Sequence, residues 1–296
     1  MSTQEDLRNE IAKLEQQLHD AKSLLEDSTP ETLSSHPRHH PTLPASSSSH
    51  SLFLLADSAL PLGSFAYSSG LESFIAHTKP LPPGTTQTTS FHRFLNLSIS
   101  SIASTILPYL LAAHRHPESL EELDNDLDAS TPCTVARRAS VAQGRALLSV
   151  WERSFRDAYP HGDGEGYEGT ATRAMEGFST TLKQCAWDST DELQPNGHFA
   201  PLWGVVCAAM GIDRHQAAYV FMLNHAKAVL SAAVRASVMG PYQAQKVLAS
   251  KMLQGQIAKQ IEQEWATEPE DAGQVVPVLD LWIGRHELLY SRIFNS

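Results

Sequence analysis

Apolar residues in the first 27 positions recur at Leu7, Ile11, Leu14, Leu18, Ala21 and Leu25, in alternating steps of four and three. That is the a/d seam of an amphipathic helix, with Glu, Gln and Lys around it. The seam runs for under three heptads and suits a solvated helix as well as a dimerising one. From Ser28 to Ser51 the pattern vanishes. Pro30, Pro37, Pro41 and Pro44 interrupt any helix, and Ser46 to Ser49 form a polar run. A segment of this make-up has too little apolar surface to build a core, so a disordered linker is expected. The chain therefore divides into an N-terminal helix (1–27), a linker (28–51) and a folded domain (52–296).

Within that domain the period is helical. Leu52 to Leu55 lead into the loop Pro61-Leu62-Gly63-Ser64-Phe65, and a helix is expected to open at Ser69, with Glu72 three residues on as its capping box. Phe91, Phe94, Leu95, Ile102, Ile106, Tyr109 and Leu110 carry one long helix from Thr88 to His116, kinked by Pro108. Leu120, Leu123 and Leu127 predict a short acidic helix, and Thr131-Pro132 predicts the start of the next. Ala158 to Thr170 reads as a Gly-rich loop, followed by a helix across Arg173 to Trp187. Phe199 to Met210 forms an apolar helix closed by Gly211, and Asp213 caps a long helix that runs to Gly240. Pro241 then opens a helix through Trp265, and Val276 to Ser296 is left as a C-terminal tail. No run alternates with period two between turn signals, so the predicted class is all-α, a single helical bundle.

Charge narrows the function classes. Lys and Arg number 22 against 33 Asp and Glu, a formal net charge of −11. Binders of nucleic acid or anionic membrane need clustered cations, which this balance does not favour. Cys133, Cys185 and Cys207 are odd in number and contain no CxxC, which excludes a disulfide framework or zinc finger as the organising device. The N-terminus has no apolar signal region and no apolar run approaches ~18 residues, so a cytosolic chain without membrane insertion is expected.

A search for chemistry leaves little. There is no GxxxxGK[ST] and no GxSxG. Gly162 to Gly166 is an acidic stretch without the lysine a phosphate loop needs, and His286-Glu287 is half a zincin motif with Tyr290 where the second His would stand. His36, His39 and His40 cluster in the linker and offer at most a weak nickel site. His114 and His116 suit a helix C-terminus. His77, His198, His215 and His225 stand singly, and Cys207 reads as a small core residue. No catalytic set, cofactor site or metal site is expected.

Three ordered stretches carry a resemblance. Leu54 to Glu72 (LLADSALPLGSFAYSSGLE), Gly204 to Ile212 with Ser231 to Arg235, and the tail containing Asp280, Arg285-His286-Glu287 and Leu289-Tyr290-Ser291-Arg292-Ile293-Phe294 resemble the signatures of the urease accessory protein UreF family. Ser64 departs from the pattern, standing where many members have a second glycine. The resemblance implies a non-enzymatic, all-helical homodimer that binds a UreD/UreH-type scaffold and the GTPase UreG, delivering nickel to apo-urease. It points to Arg285, His286, Glu287, Tyr290, Ser291, Arg292 and Phe294 as scaffold-gripping residues; the alternative is that this tail folds onto its own domain. Tyr67, Gly70 and Glu72 become a candidate dimer or GTPase surface, with helix capping as the alternative for Glu72. Arg235 is a candidate for pairing across the dimer. Two other functions stay open: a GTPase-activating protein offering an arginine such as Arg235 to UreG, and a weak nickel metallochaperone acting through the linker histidines.

Overall fold

The computed structural model describes residues 47–159, 166–185 and 194–295, together with Lys13 and Gln16. The N-terminal seam, the linker histidines, the stretch from Gly162 to Glu165 and Ser296 lie outside the described residues. The chain divides into two units, Met1–Pro44 and Ala45–Ser296. The helices of the second unit are α1 (Ser47–Ala56), α2 (Leu71–His77), α3 (Gln87–Thr105), α4 (Leu107–Arg115), α5 (Leu120–Ser130), α6 (Thr134–Val150), α7 (Tyr167–Cys185), α8 (Phe199–Ala209), α9 (Arg214–Arg235), α10 (Pro241–Leu248), α11 (Lys251–Glu264) and α12 (Pro277–Arg285). No strand occurs among the described residues, and the class is all-α as the periodicity predicts.

The apolar helix α8 is the hub. Every residue from Ala200 to Ala209 is buried, because α4, α6, α7 and α9 all pack on it. Glycines set how close they come. A Cβ on Gly204 would lie 2.4 Å from the Leu110 carbonyl oxygen of α4, and one on Gly144 would lie 2.1 Å from the Gly197 oxygen. Phe199, Trp203 and Phe221 fill the α8–α9 seam with ring centroids 5.5–6.1 Å apart, and Trp203 Nε1 donates to the Ala217 carbonyl.

The N-terminus of α8 is held by acids of α5. The Asp124 carboxylate accepts from the backbone N–H groups of Asn196, Gly197 and His198. These are free donors just ahead of the helix, where negative charge is favoured. The His198 ring, fully buried, spans from Asp128 at 2.9 Å to Ser140 at 3.0 Å. This histidine pins three helices together.

Several boundaries differ from the expectations. Helix α1 begins at Ser47, inside the stretch expected to be linker: Ser51 is buried and its Oγ lies 2.6 Å from the Tyr159 hydroxyl. The long helix breaks at Ile106 rather than kinking at Pro108. Proline supplies no N–H for the Ser104 carbonyl four residues back, and that oxygen instead accepts from Gly273 N at 3.1 Å. Thr131 closes α5 by donating to the Leu127 carbonyl instead of opening α6, which starts at Thr134. Asp213 caps α9 as expected, through His215 N and Gln216 N. The helix nonetheless ends at Arg235, where Ser237 turns left-handed (φ 57°) well before Gly240. The helix expected from Pro241 through Trp265 is two, because Ser250 caps a new one at Leu253 N. Helix α7 begins at Tyr167, within the expected loop. His114 is buried and bonded to the Ile212 carbonyl and to Tyr167, not merely facing a helix end. Residues 87–115 and 214–235 are long and apolar enough to cross a membrane, unlike anything the run lengths suggest, and more than half of the most apolar 18-residue window in each is buried within the domain.

Candidate functional site

The loop-to-helix stretch 63–72 and the C-terminal tail, far apart in sequence, meet. Gly63 (φ 71°), Ser69 (φ 51°) and Gly70 (φ 84°) bend the chain sharply ahead of α2. Gly70 is needed twice. Its φ favours glycine, and a Cβ there would stand 2.9 Å from Ile283 Cγ1 and 3.2 Å from Ile283 N of α12. The expected capping box does not form. Ser68 Oγ, not Ser69, accepts from Glu72 N at 3.4 Å, and the Glu72 carboxylate points across to the tail.

There it accepts three donors: His286 Nε2 at 2.8 Å, Ile293 N at 2.7 Å and Phe294 N at 3.2 Å. His286 is fully buried. Donation to the carboxylate requires the proton on Nε2, which leaves Nδ1 without a partner. Further contacts complete the clasp. Asn295 N donates to the Ala66 carbonyl at 2.7 Å. Arg235, at the end of α9, donates to the Phe65 carbonyl and places its guanidinium carbon 4.3 Å from the centre of the Phe294 ring. Arg138 of α6 pairs with Glu287 at 2.8 Å. Phe294 is buried. The tail is thus folded onto its own domain, the alternative the sequence left open, and Arg235 is engaged within its own chain.

The outer side of the same segment is apolar and open. Val275, Val278, Leu281, Leu288, Tyr290 and Ile293 are exposed, Tyr290 completely. Arg285, Ser291 and Arg292 are exposed among them. The structure therefore divides the predicted tail residues: His286 and Phe294 face inward, Glu287 pairs with Arg138, and Tyr290, Ser291, Arg285 and Arg292 face solvent. Tyr67 sits half-buried on the rim of an adjacent cleft of about 370 Å³, which Phe65, Ser98, His225 and Ile283 also line. At its wall Ser98 Oγ lies 2.8 Å from His225 Nε2, and burial pushes the His225 pKa down to about 4. Among the described residues no group of three or more His, Cys, Asp or Glu side chains is placed to hold a metal ion.

Sequence reasoning missed Arg138, Phe65 and Ile283, whose roles come only from what packs against them. It also missed the exposed stripe on α12. Val278 and Leu281 do share one face of α12 by spacing, but nothing in the sequence says whether that face is inside or outside.

These features define an all-helical domain organised around a C-terminal tail clasped to a glycine-rich turn. The family profile of UreF matches residues 85–251, more than half of the chain. An uncharacterised UreF-like urease accessory protein from Schizosaccharomyces pombe is 34% identical over 247 residues, covering 83% of this chain and 97% of the relative. Urease accessory protein F of Oryza sativa is 30% identical, covering 87% and 90% respectively. The urease accessory protein UreF of Haemophilus influenzae is 24% identical, covering 83% and 94%. The chain belongs to the UreF family of urease accessory proteins.

Proposed function

We propose that this protein is a non-enzymatic co-chaperone of urease maturation that joins a UreD/UreH-type scaffold to the GTPase UreG, so that nickel reaches apo-urease. The exposed apolar face of residues 275–293 carries the reading. Six large apolar side chains lie in one short segment, beside two exposed arginines. Aromatic residues and arginine are the usual anchors of protein interfaces, and solvent is a poor neighbour for such a face. The scaffold is the partner assigned to it, with Arg285 and Arg292 available to acidic groups at its edge. GTP hydrolysis is assigned to UreG, since this sequence codes no phosphate-cradling loop. A homodimer acting in the reducing cytosol completes the proposal, in keeping with three free cysteines.

Neither rival gains an observation in its favour. An arginine finger needs a free guanidinium at the partner's phosphates, and that of Arg235 is held by Phe65 and Phe294. The linker histidines lie outside the described residues. The test is co-purification of the full chain with scaffold and GTPase. Leu288→Asp combined with Tyr290→Asp should weaken scaffold binding by about 30-fold or more, the scale of losing interface anchors. The circular dichroism melt should stay unchanged, because both side chains are exposed. Undiminished binding by this variant would remove the tail face as the interface.

A further inference from the structure

None of the six exposed apolar side chains of the tail lines the cleft beside Tyr67. Its walls come from α3, α6, α9, the loop after α1 and the start of α12, and its volume of about 370 Å³ lies in the range of small-molecule sites. Leu55, Leu62, Ile102, Phe221 and Ile283 give it a largely apolar lining. Several polar groups on the wall are already engaged. Lys227 Nζ donates to the Ala56 carbonyl, and Gln143 Oε1 accepts from Ser64 Oγ. Gln274 accepts from Ser101 Oγ and donates to Asp280.

His225 is different. One ring nitrogen, Nε2, lies 2.8 Å from Ser98 Oγ. The other, Nδ1, has no partner among the described residues. Nor is it sealed off, since the sealed and unpaired side-chain nitrogens there belong to Arg115, Trp151 and His286. An unpaired, unsealed nitrogen on a residue that lines the cleft opens on the cleft. Polar atoms this deep are normally paired, so the partner has to come from whatever fills the space. We propose that the cleft is a binding site for a small uncharged ligand, an apolar ring or short chain bearing one hydroxyl, with that hydroxyl on His225 Nδ1.

The choice of ligand follows from the donors. Ser98 either donates to Nε2 or accepts from it, which leaves Nδ1 a donor or an acceptor, and a hydroxyl serves both cases. Charge is disfavoured. The imidazole stays neutral above about pH 4, and Lys227 already has Ala56 O and Asn224 Oδ1 as partners. Moving an ion from water into an apolar cleft costs more than one hydrogen bond returns. Water is the competing occupant, but it satisfies Nδ1 and leaves the apolar walls wet.

Calorimetric titration of the full chain at neutral pH with para-ethylphenol, ethylbenzene and para-ethylbenzoate tests this. The phenol should bind about five- to ten-fold more tightly than ethylbenzene, the effect of one neutral hydrogen bond, and the benzoate should not bind measurably. The imidazole nitrogen resonances of His225 should move with the phenol and stay with ethylbenzene. His225→Phe should abolish the phenol's advantage; Ser98→Ala, which keeps Nδ1, should preserve it. Ala228→Leu, which fills the cleft from α9, should abolish binding of both, and it decides the matter if His225→Phe does not fold. A cleft that takes up none of the three holds water alone, and the proposal fails. It fails equally if phenol and ethylbenzene bind alike, if His225 does not respond, or if Ala228→Leu binds like the wild type.

Discussion

His225 shows what burial does to a single group. Its ring has Ser98 as partner on α3, and the folded protein protonates it only near pH 4, against 6.5 for the free side chain. Between those values the unfolded chain takes up a proton that the folded chain refuses. Stability therefore rises with pH across this window and falls as pH drops from 6.5 towards 4. The contribution reaches at most about 3 kcal/mol at 1.36 kcal/mol per unit. Burial lowers the pKa of His114 too, adding to the same slope. Urea denaturation of His225→Asn against wild type at pH 7 and pH 4.5 should show a flatter dependence in the variant; parallel curves would refute the assignment. Nothing in the sequence marks His225 off from His77 or His215, which also stand singly. Glu72 makes the same point for the site: Ser69 and Glu72 have the spacing of a capping box, yet the carboxylate serves a tail more than two hundred residues away.

Helices were largely legible from period and punctuation. Leu120, Leu123 and Leu127 are all buried as their spacing implies, and Asp213 caps α9 where an acceptor before an apolar run should. What spacing could not supply was how closely helices approach. Gly204 reads as an unremarkable glycine in an apolar helix, but α4 lies against it with backbone in the way of any side chain. Gly204→Ala gains helix propensity and still should destabilise the domain by about 1–3 kcal/mol or more, because backbone cannot swing aside as a side chain can. A thermal melt checks this, and a variant as stable as wild type would show that α4 and α8 can separate freely. Breaks within helices were hard for a related reason. Ser237 and Ser250 end and begin helices through local backbone shape and a hydroxyl, signals that serines elsewhere in this chain carry without consequence.

At the scale of the whole molecule, the domain boundary lies ahead of its expected place. Helix α1 is held at its C-terminal end by α9, with Lys227 Nζ on the Ala56 carbonyl at 2.6 Å and Asn224 on that of Leu55, where a cation meets the free carbonyls of a helix end. Its N-terminal half carries the Ser51–Tyr159 bond. A chain starting at Ala45 should melt close to full length. One starting at Leu52 loses half of α1 and should melt about 2–4 °C lower for each kcal/mol given up; equal melts would place the boundary back at Leu52. By itself the sequence determined the class, the position of most helices, the lack of a nucleotide loop and the family signatures, because period, caps and motifs are local properties. Only the tertiary structure decided which side of the tail faces inward, what Glu72 and Arg235 hold, and how near α4 comes to α8. Those depend on groups distant in sequence arriving at one place, and a one-dimensional pattern carries no record of that arrival.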